Sequence, residues 1–184
     1  MGLLLNKGET ELKFSVDKIG NTNHKDYNNF SDNDFWVITS VSVKNRHLCY
    51  DLVDEVLEYS DLIYIRDNFI KLLEGQIHEK KEIGFTESDY SFIFYPPLKY
   101  TEKLVNYNGE ERIYKEYPAL TPSEQWRVGE NKDIICEFII ALTSTSGAYP
   151  GDRYVVLLYE DDIVAWRDYL NDMIDKFDMS KRVK

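Results

Sequence analysis

The stretch Arg153–Phe177, RYVVLLYEDDIVAWRDYLNDMIDKF, decides the fold. Its opening residues are apolar and β-branched, which is typical of a buried strand. Glu160–Asp162 come next and favour a helix start, because carboxylates interact well with the positive end of the helix dipole. Apolar residues then recur at offsets of 3, 7, 10, 11 and 14 and form one helix stripe: Ile163, Trp166, Leu170, Met173, Ile174 and Phe177. A strand that passes directly into an amphipathic helix predicts an α+β domain.

A second amphipathic helix is predicted earlier in the chain. Residues 53–59 fit either the strand or the helix period, and Ser60 then has the character of an N-cap, with Asp61 in the first turn. The apolar face of this helix follows at helical spacing: Leu62, Ile65, Phe69, Leu72 and Leu73. Gly75 is expected to end the helix at the C′ position.

The rest of the chain is dominated by strand patterns. These are residues 11–16, 35–44, 47–53, 80–87, 88–96, 98–117, 133–144 and 152–159. The pattern of 35–44 breaks once, which predicts a bulge or a change of buried face, and 17–34 is expected to be a loop. Residues 98–117 form a hairpin with Asn108-Gly109 at its tip. Together they predict an antiparallel sheet of about seven to nine strands with both helices on one face. Residues 1–184 form one domain, with a hairpin and loop insertion at 96–130.

The loop before the last strand, residues 143–151, is rich in Ser, Thr and Gly. A phosphate-binding loop would need a Lys-Ser or Lys-Thr pair and a helix directly after it. Here a strand follows instead, and Pro150-Gly151 suits a tight turn. The loop is therefore expected to be a hairpin connection.

Other sequence signals for chemistry point away from an enzyme. His24, His47 and His78 are isolated from further ligands, and no Gly-x-Ser-x-Gly elbow is present. The acidic run 54–61 lacks the glycine and oxygen spacing of a calcium loop. Cys49 and Cys136 have the surroundings of small buried hydrophobes rather than of a disulfide. We expect no catalytic residues, no metal and no cofactor.

Charge narrows the choice of partner. The net charge is −11, and residues 51–95 and 130–178 each hold 11 acids and 4 bases. Such a surface repels nucleic acid and attracts a basic protein. No run of about 18 apolar residues could cross a membrane, and the first residues lack the features of a signal peptide. The expected location is the cytoplasm.

The order of these elements resembles a known family. A strand FWVITSVSV, a helix SDLIYIRDNFIKLLEGQ and the final unit RYVVLLYEDDIVAWRDYLNDMI are similar to those of the small WapI-type immunity proteins of bacterial polymorphic toxin systems. The helix end Leu72–Gly75 and the unit 159–170 carry most of this resemblance, while 96–130 and a longer N-terminal loop depart from it. The resemblance implies a non-enzymatic inhibitor that binds a cognate toxin domain, and it supplies no catalytic residues.

Two other functions fit the composition. A small-ligand or carbohydrate-binding domain could use Trp36, Trp126 and Tyr149, and it would need a concave aromatic pocket. An enzyme could use paired acids, such as Asp54 with Glu58, or Asp161 with a distant partner.

For a toxin-binding protein, we expect the contact surface to be acidic. One candidate surface is the strand-to-helix junction, with Asp51, Asp54, Glu55, Glu58 and Asp61. The other is the exposed side of the last helix, with Asp161, Asp168, Asp172 and Asp175. The hairpin around Asn108 is a further candidate, since loops often carry specificity.

Overall fold

A computed structural model describes residues 2–20, 36–85, 90–129, 132–142 and 152–177, without the side chains of 18–20, 36 and 54–56. Within these ranges the helices are α1 (Tyr59–Leu73), α2 (Pro122–Gln125) and α3 (Glu160–Phe177). The strands are β1 (Leu3–Lys7), β2 (Thr10–Gly20), β3 (Trp36–Lys44), β4 (Cys49–Glu58), β5 (Lys81–Gly84), β6 (Tyr90–Phe94), β7 (Thr101–Tyr107), β8 (Glu110–Glu116), β9 (Cys136–Ala141) and β10 (Arg153–Leu158).

The α+β class and the antiparallel pairing of the strands are confirmed, but the prediction of one sheet is wrong. The described strands form a four-stranded sheet A in the order β1-β2-β3-β4, a four-stranded sheet B in the order β10-β9-β6-β5, and a two-stranded ribbon of β7 and β8. Strand β4 passes directly into α1, and the next strand along the chain, β5, belongs to sheet B.

The N-terminal hairpin was not predicted. The apolar start of the chain is β1, which turns at Gly8 and pairs with β2 from Leu3 opposite Phe14 to Lys7 opposite Thr10. Gly8 has φ +63, as the first position of a two-residue hairpin turn requires. Residues 17–20 of the expected loop belong to β2, which continues to Gly20, and residues 21–34 lie outside the described residues.

Two β-bulges set which side chains of sheet A are buried. The register shifts between Val16 and Lys18 on β2, and between Val37 and Ile38 where β3 pairs with β4. On β4 the buried side chains are therefore Tyr50 before the shift and Leu57 after it, whereas the buried residues of β3 alternate without a break: Val37, Thr39, Val41 and Val43. The bulge or change of buried face predicted within 35–44 is therefore wrong for β3, because the extra residues lie on its partner strands β2 and β4.

Helix α1 begins and ends by local backbone chemistry. The N-cap is Glu58 and not the predicted Ser60, so the helix starts two residues earlier than expected. The Glu58 N–H donates to the Asp61 carboxylate over 2.8 Å. At the other end Gly75 has φ +69 and its N–H donates to the Leu72 carbonyl, as predicted for a C′ glycine.

The two long helices share one core with both sheets. Trp166 on α3 lies 5.4 Å from Phe138 and 5.7 Å from Phe92, measured between ring centroids, and Phe69 on α1 lies 5.4 Å from the same Phe92. Phe92 and Phe138 are opposite each other on one face of sheet B, which confirms that both helices pack on one sheet face. Phe14 of sheet A joins this cluster at 4.6 Å from Trp166.

The predicted apolar stripes of both helices are buried, apart from the half-buried Leu73. No helix in the described ranges is long and apolar enough to cross a membrane. Both cysteines are free, and Cys136 is buried as expected, but Cys49 is exposed at the start of β4. The predicted hairpin connection 143–151 lies outside the described residues, although the strands on either side of it pair antiparallel.

Candidate functional site

The exposed side of α3 carries a continuous row of carboxylates. Asp161, Asp168, Asp172 and Asp175 are all exposed. At about 100° per residue they fall within an arc of about 60°, and at 1.5 Å rise per residue they extend over about 21 Å. We call these four residues the acidic stripe. Helical periodicity therefore places all four predicted residues of α3 on one surface.

The two ends of the acidic stripe differ in how their charge is balanced. Asp161 forms an ion pair with Lys132, and Asp168 is 2.7 Å from Arg167. Asp172 and Asp175 form no ion pair with any residue that the structure describes. Among the described residues, the charge of the C-terminal half of the stripe is therefore not balanced by an ion pair.

The predicted junction residues are not equivalent. Asp51 is exposed on sheet A, and the side chains of Asp54 and Glu55 lie outside the described part of the chain. Glu58 and Asp61 are half-buried and form the cap of α1. Burial raises the pKa of Asp61, while the bond from the Glu58 N–H acts in the opposite direction. Asp61 is therefore a structural cap of α1.

The junction and the acidic stripe meet at one end of the helix pair. The Tyr59 hydroxyl, in the first turn of α1, donates to the Ile174 carbonyl in the last turn of α3 over 3.2 Å. That carbonyl is among the last four of α3, which have no partner within a helix. Tyr59 thus ties the start of α1 to the end of α3, beside Asp172 and Asp175.

At the opposite end of the stripe, two cavities flank the start of α3. One, of about 620 Å³, lies between the β1–β2 turn and β10. The other, of about 410 Å³, lies beside the end of α1, and Lys132 and Asp161 line both. Lys7 forms an ion pair with Asp162 in the larger cavity and lies 4.3 Å from the centre of the Tyr159 ring.

The charges in the larger cavity balance each other. Burial lowers the pKa of Lys7, and its hydrogen bond to Asp162 opposes that shift. Lys7 and Lys132 each have an aspartate partner, and the Tyr154 hydroxyl is held by Thr10 at 3.2 Å and by Asn45 at 3.1 Å. This arrangement stabilises the contact between sheet A, β10 and α3, and it leaves no excess charge to attract an ionic ligand.

Sequence reasoning missed this charged cluster. Lys7 and Asp162 are 155 positions apart, and Lys132 reaches Asp161 from a connection with no periodic pattern. Asp161 and Asp162 did carry a sequence signal, as acids at a helix start, and Asp162 fills that role by accepting the Tyr159 N–H over 2.8 Å.

The two alternative functions find little support in the geometry. Trp126 packs against Tyr95 with ring centroids 5.5 Å apart and lines neither of the two larger cavities, while the Trp36 side chain and Tyr149 lie outside the described residues. Asp161 faces a lysine rather than a second carboxyl group. In the described ranges, no group of three His, Cys, Asp or Glu side chains could hold a metal ion.

Comparison with protein-family models, with curated proteins and with solved structures finds no match to this chain. Function therefore has to be inferred from the chain's own geometry.

Proposed function

We propose that this is a non-catalytic binding protein that captures and neutralises a basic toxin domain in the cytoplasm. The observation that carries the proposal is the acidic stripe, with four exposed carboxylates in one row on α3 and two of them without a described ion pair. The resemblance of the strand–helix units to WapI-type immunity proteins supports the same conclusion.

Electrostatics explains how such a surface would work. A net charge of −11 attracts a basic protein from beyond contact distance and raises the rate of encounter. The stripe concentrates part of that charge on a rigid helix whose other face is fixed in the core. Binding then requires no change in the backbone, which suits an inhibitor that has to act before its target does damage.

The experiment is to express the protein together with the product of the adjacent gene and to measure complex formation and association rate. The test variant combines Asp168→Asn, Asp172→Asn and Asp175→Asn. Its matched control removes the same charge from exposed acids off the stripe, with Glu11→Gln, Glu79→Gln and Glu82→Gln.

We expect a stable complex for the wild type and an association rate about tenfold lower for the stripe variant at low salt. The control should change the rate far less, and the difference between the two should shrink as salt is added. If no complex forms at micromolar concentration, or if both variants behave alike, the proposal is wrong.

A further inference from the structure

The ribbon of β7 and β8 carries four exposed large apolar or aromatic side chains: Leu104, Tyr107, Ile113 and Tyr114. It is paired in register from Thr101 opposite Glu116 to Tyr107 opposite Glu110 and turns at Asn108 and Gly109, which have φ 53 and 88. Every described side chain of the ribbon except the half-buried Val105 is exposed. Leu104 is 61% exposed and Ile113 is 66% exposed.

The two faces of the ribbon differ in how their charges are paired. On one face, the Tyr107 face, Lys103 is 3.9 Å from Glu116 and Arg112 is 2.8 Å from Glu110. The other face, the Leu104 face, consists of the cross-strand pairs Glu102–Lys115, Leu104–Ile113 and Asn106–Glu111. The charged residues of the Tyr107 face therefore form ion pairs with one another.

On the Leu104 face, the one cation is already engaged by the body of the protein. Lys115 is 3.1 Å from the Asp133 carboxylate and 4.5 Å from the centre of the Tyr100 ring. The same carboxylate accepts a hydrogen bond from the Tyr117 hydroxyl over 2.6 Å. These contacts fix the base of the ribbon, and they leave Glu102 and Glu111 without an ion pair among the described residues.

The Leu104 face is thus an apolar pair between two unpaired carboxylates. We propose that this face docks on a basic protein surface that has an apolar patch, and that the partner is the same basic domain the acidic stripe attracts. Protein interfaces have an apolar centre and a polar rim, and the charge of the rim decides which occupant fits. A second copy of this chain would bring the same two carboxylates and a further net charge of −11, so it would be repelled.

This inference rests on the proposed function and assigns the stripe and the ribbon different tasks. Long-range charge on the stripe governs encounter, while buried apolar contact on the ribbon governs how long the complex lasts.

The test combines Leu104→Thr and Ile113→Thr, because threonine keeps the strand preference of these exposed positions while it removes apolar surface. The matched control is Leu4→Thr, which changes a leucine of similar exposure, 51%, on β1. A second variant combines Glu102→Gln and Glu111→Gln and leaves the apolar pair intact, so that it remains informative if the threonine variant loses the ribbon. Each is titrated against the product of the adjacent gene, with circular dichroism and analytical ultracentrifugation of the free protein.

We expect the threonine variant to bind about tenfold more weakly or worse, through faster dissociation, while Leu4→Thr binds as the wild type does. The glutamine variant should bind about threefold more weakly. Unchanged binding by both ribbon variants, with the stripe variant weakened, overturns the ribbon inference and leaves the proposed function standing. Absence of any wild-type complex overturns both. A dimer of the free protein that the threonine variant dissociates overturns the basic partner and assigns the face to a second copy.

Discussion

Neutralising the C-terminal half of the acidic stripe should make the protein more stable, although under the proposed function the same change should weaken binding. Asp172 lies four residues after Asp168 and three before Asp175, so each pair places like charges side by side on the helix surface. Asp175 also lies in the last turn of α3, where the negative end of the helix dipole disfavours an acid. Burial of these side chains does not offset the repulsion, since all three are exposed.

The size of the effect follows from these three interactions. Each like-charge pair destabilises a helix by about 0.2–0.5 kcal/mol, and the dipole adds about 0.3–1 kcal/mol for Asp175. The double variant Asp172→Asn with Asp175→Asn should therefore raise the free energy of unfolding by about 1 kcal/mol at low salt. For a chain of 184 residues that corresponds to a rise in Tm of about 2–4 °C.

Asp161→Asn provides a control of opposite sign on the same helix. Asp161 lies in the first turn of α3, where the dipole favours an acid, and it is paired with Lys132. Its neutralisation should lower Tm, and about 1 M salt should reduce both changes because the screening length is then about 3 Å. Thermal and urea unfolding measure the three proteins side by side. A fall in Tm for the double variant, or equal shifts for both, would refute the electrostatic reasoning.

Three further changes test the fold around the site. Tyr169→Phe leaves the buried N–H of Val16 without its 2.7 Å acceptor and should lower the free energy of unfolding by about 1–3 kcal/mol, whereas Tyr64→Phe, which removes an exposed hydroxyl, should not. Because the folded pKa of Lys7 is lowered, the unfolded state binds more protons, so stability should rise with pH through that folded pKa towards the ordinary value of 10.5. Lys7→Met should flatten this rise in urea unfolding at alkaline pH. Gly109→Ala, at φ 88, should lower the local stability of the ribbon by about 1 kcal/mol and leave Tm unchanged. Faster amide hydrogen exchange within the ribbon measures this change.

Local patterns in the sequence predicted the two long helices, α1 and α3, and the ribbon turn. The apolar stripe of α3 recurs every three or four residues, and all six predicted residues are buried. Asn108-Gly109 forms the predicted turn because both residues adopt positive φ readily. In each case the neighbours in sequence supply the deciding interaction, so the position can be predicted without knowledge of the rest of the chain.

Sheet organisation depended on contacts that the sequence does not display. β6 pairs with β9 across the whole of the ribbon and α2, and a hydrophobic pattern does not specify which strand lies beside which. β1 was missed because its five residues include the exposed Leu4, and the apolar patch was too short to show an alternation. The extra residue on β4 reverses the buried face of that strand between Tyr50 and Leu57, and the sequence did not predict it because residues 53–59 fit either the strand or the helix period.

The residues of the candidate site show the same difference between local patterns, which could be predicted, and long-range contacts, which could not. The acidic stripe could be predicted because it repeats with the helix period, whereas the Lys7–Asp162 pair joins β1 to α3 from opposite ends of the chain. Asp61 was predicted as a contact residue on charge alone, and the structure uses it to cap α1. Acids in a sequence therefore indicate a binding surface only where the fold does not use them in helix caps and ion pairs.

We propose that a partner binds at the acids that form no ion pair among the described residues. The Lys7 and Lys132 pairs, the Asp61 cap and the Asp133 contacts each balance a carboxylate, while Asp172 and Asp175 are kept at a cost to α3. The base of the ribbon and Asp161 line one cavity, so the ribbon begins at the N-terminal end of a stripe about 21 Å long. An interface of ordinary size covers about 800 Å² on each partner, which is about 30 Å across. The basic domain proposed as the partner would therefore be large enough to contact both the acidic stripe and the ribbon. In that complex its positive charge would offset the repulsion among the acids of α3.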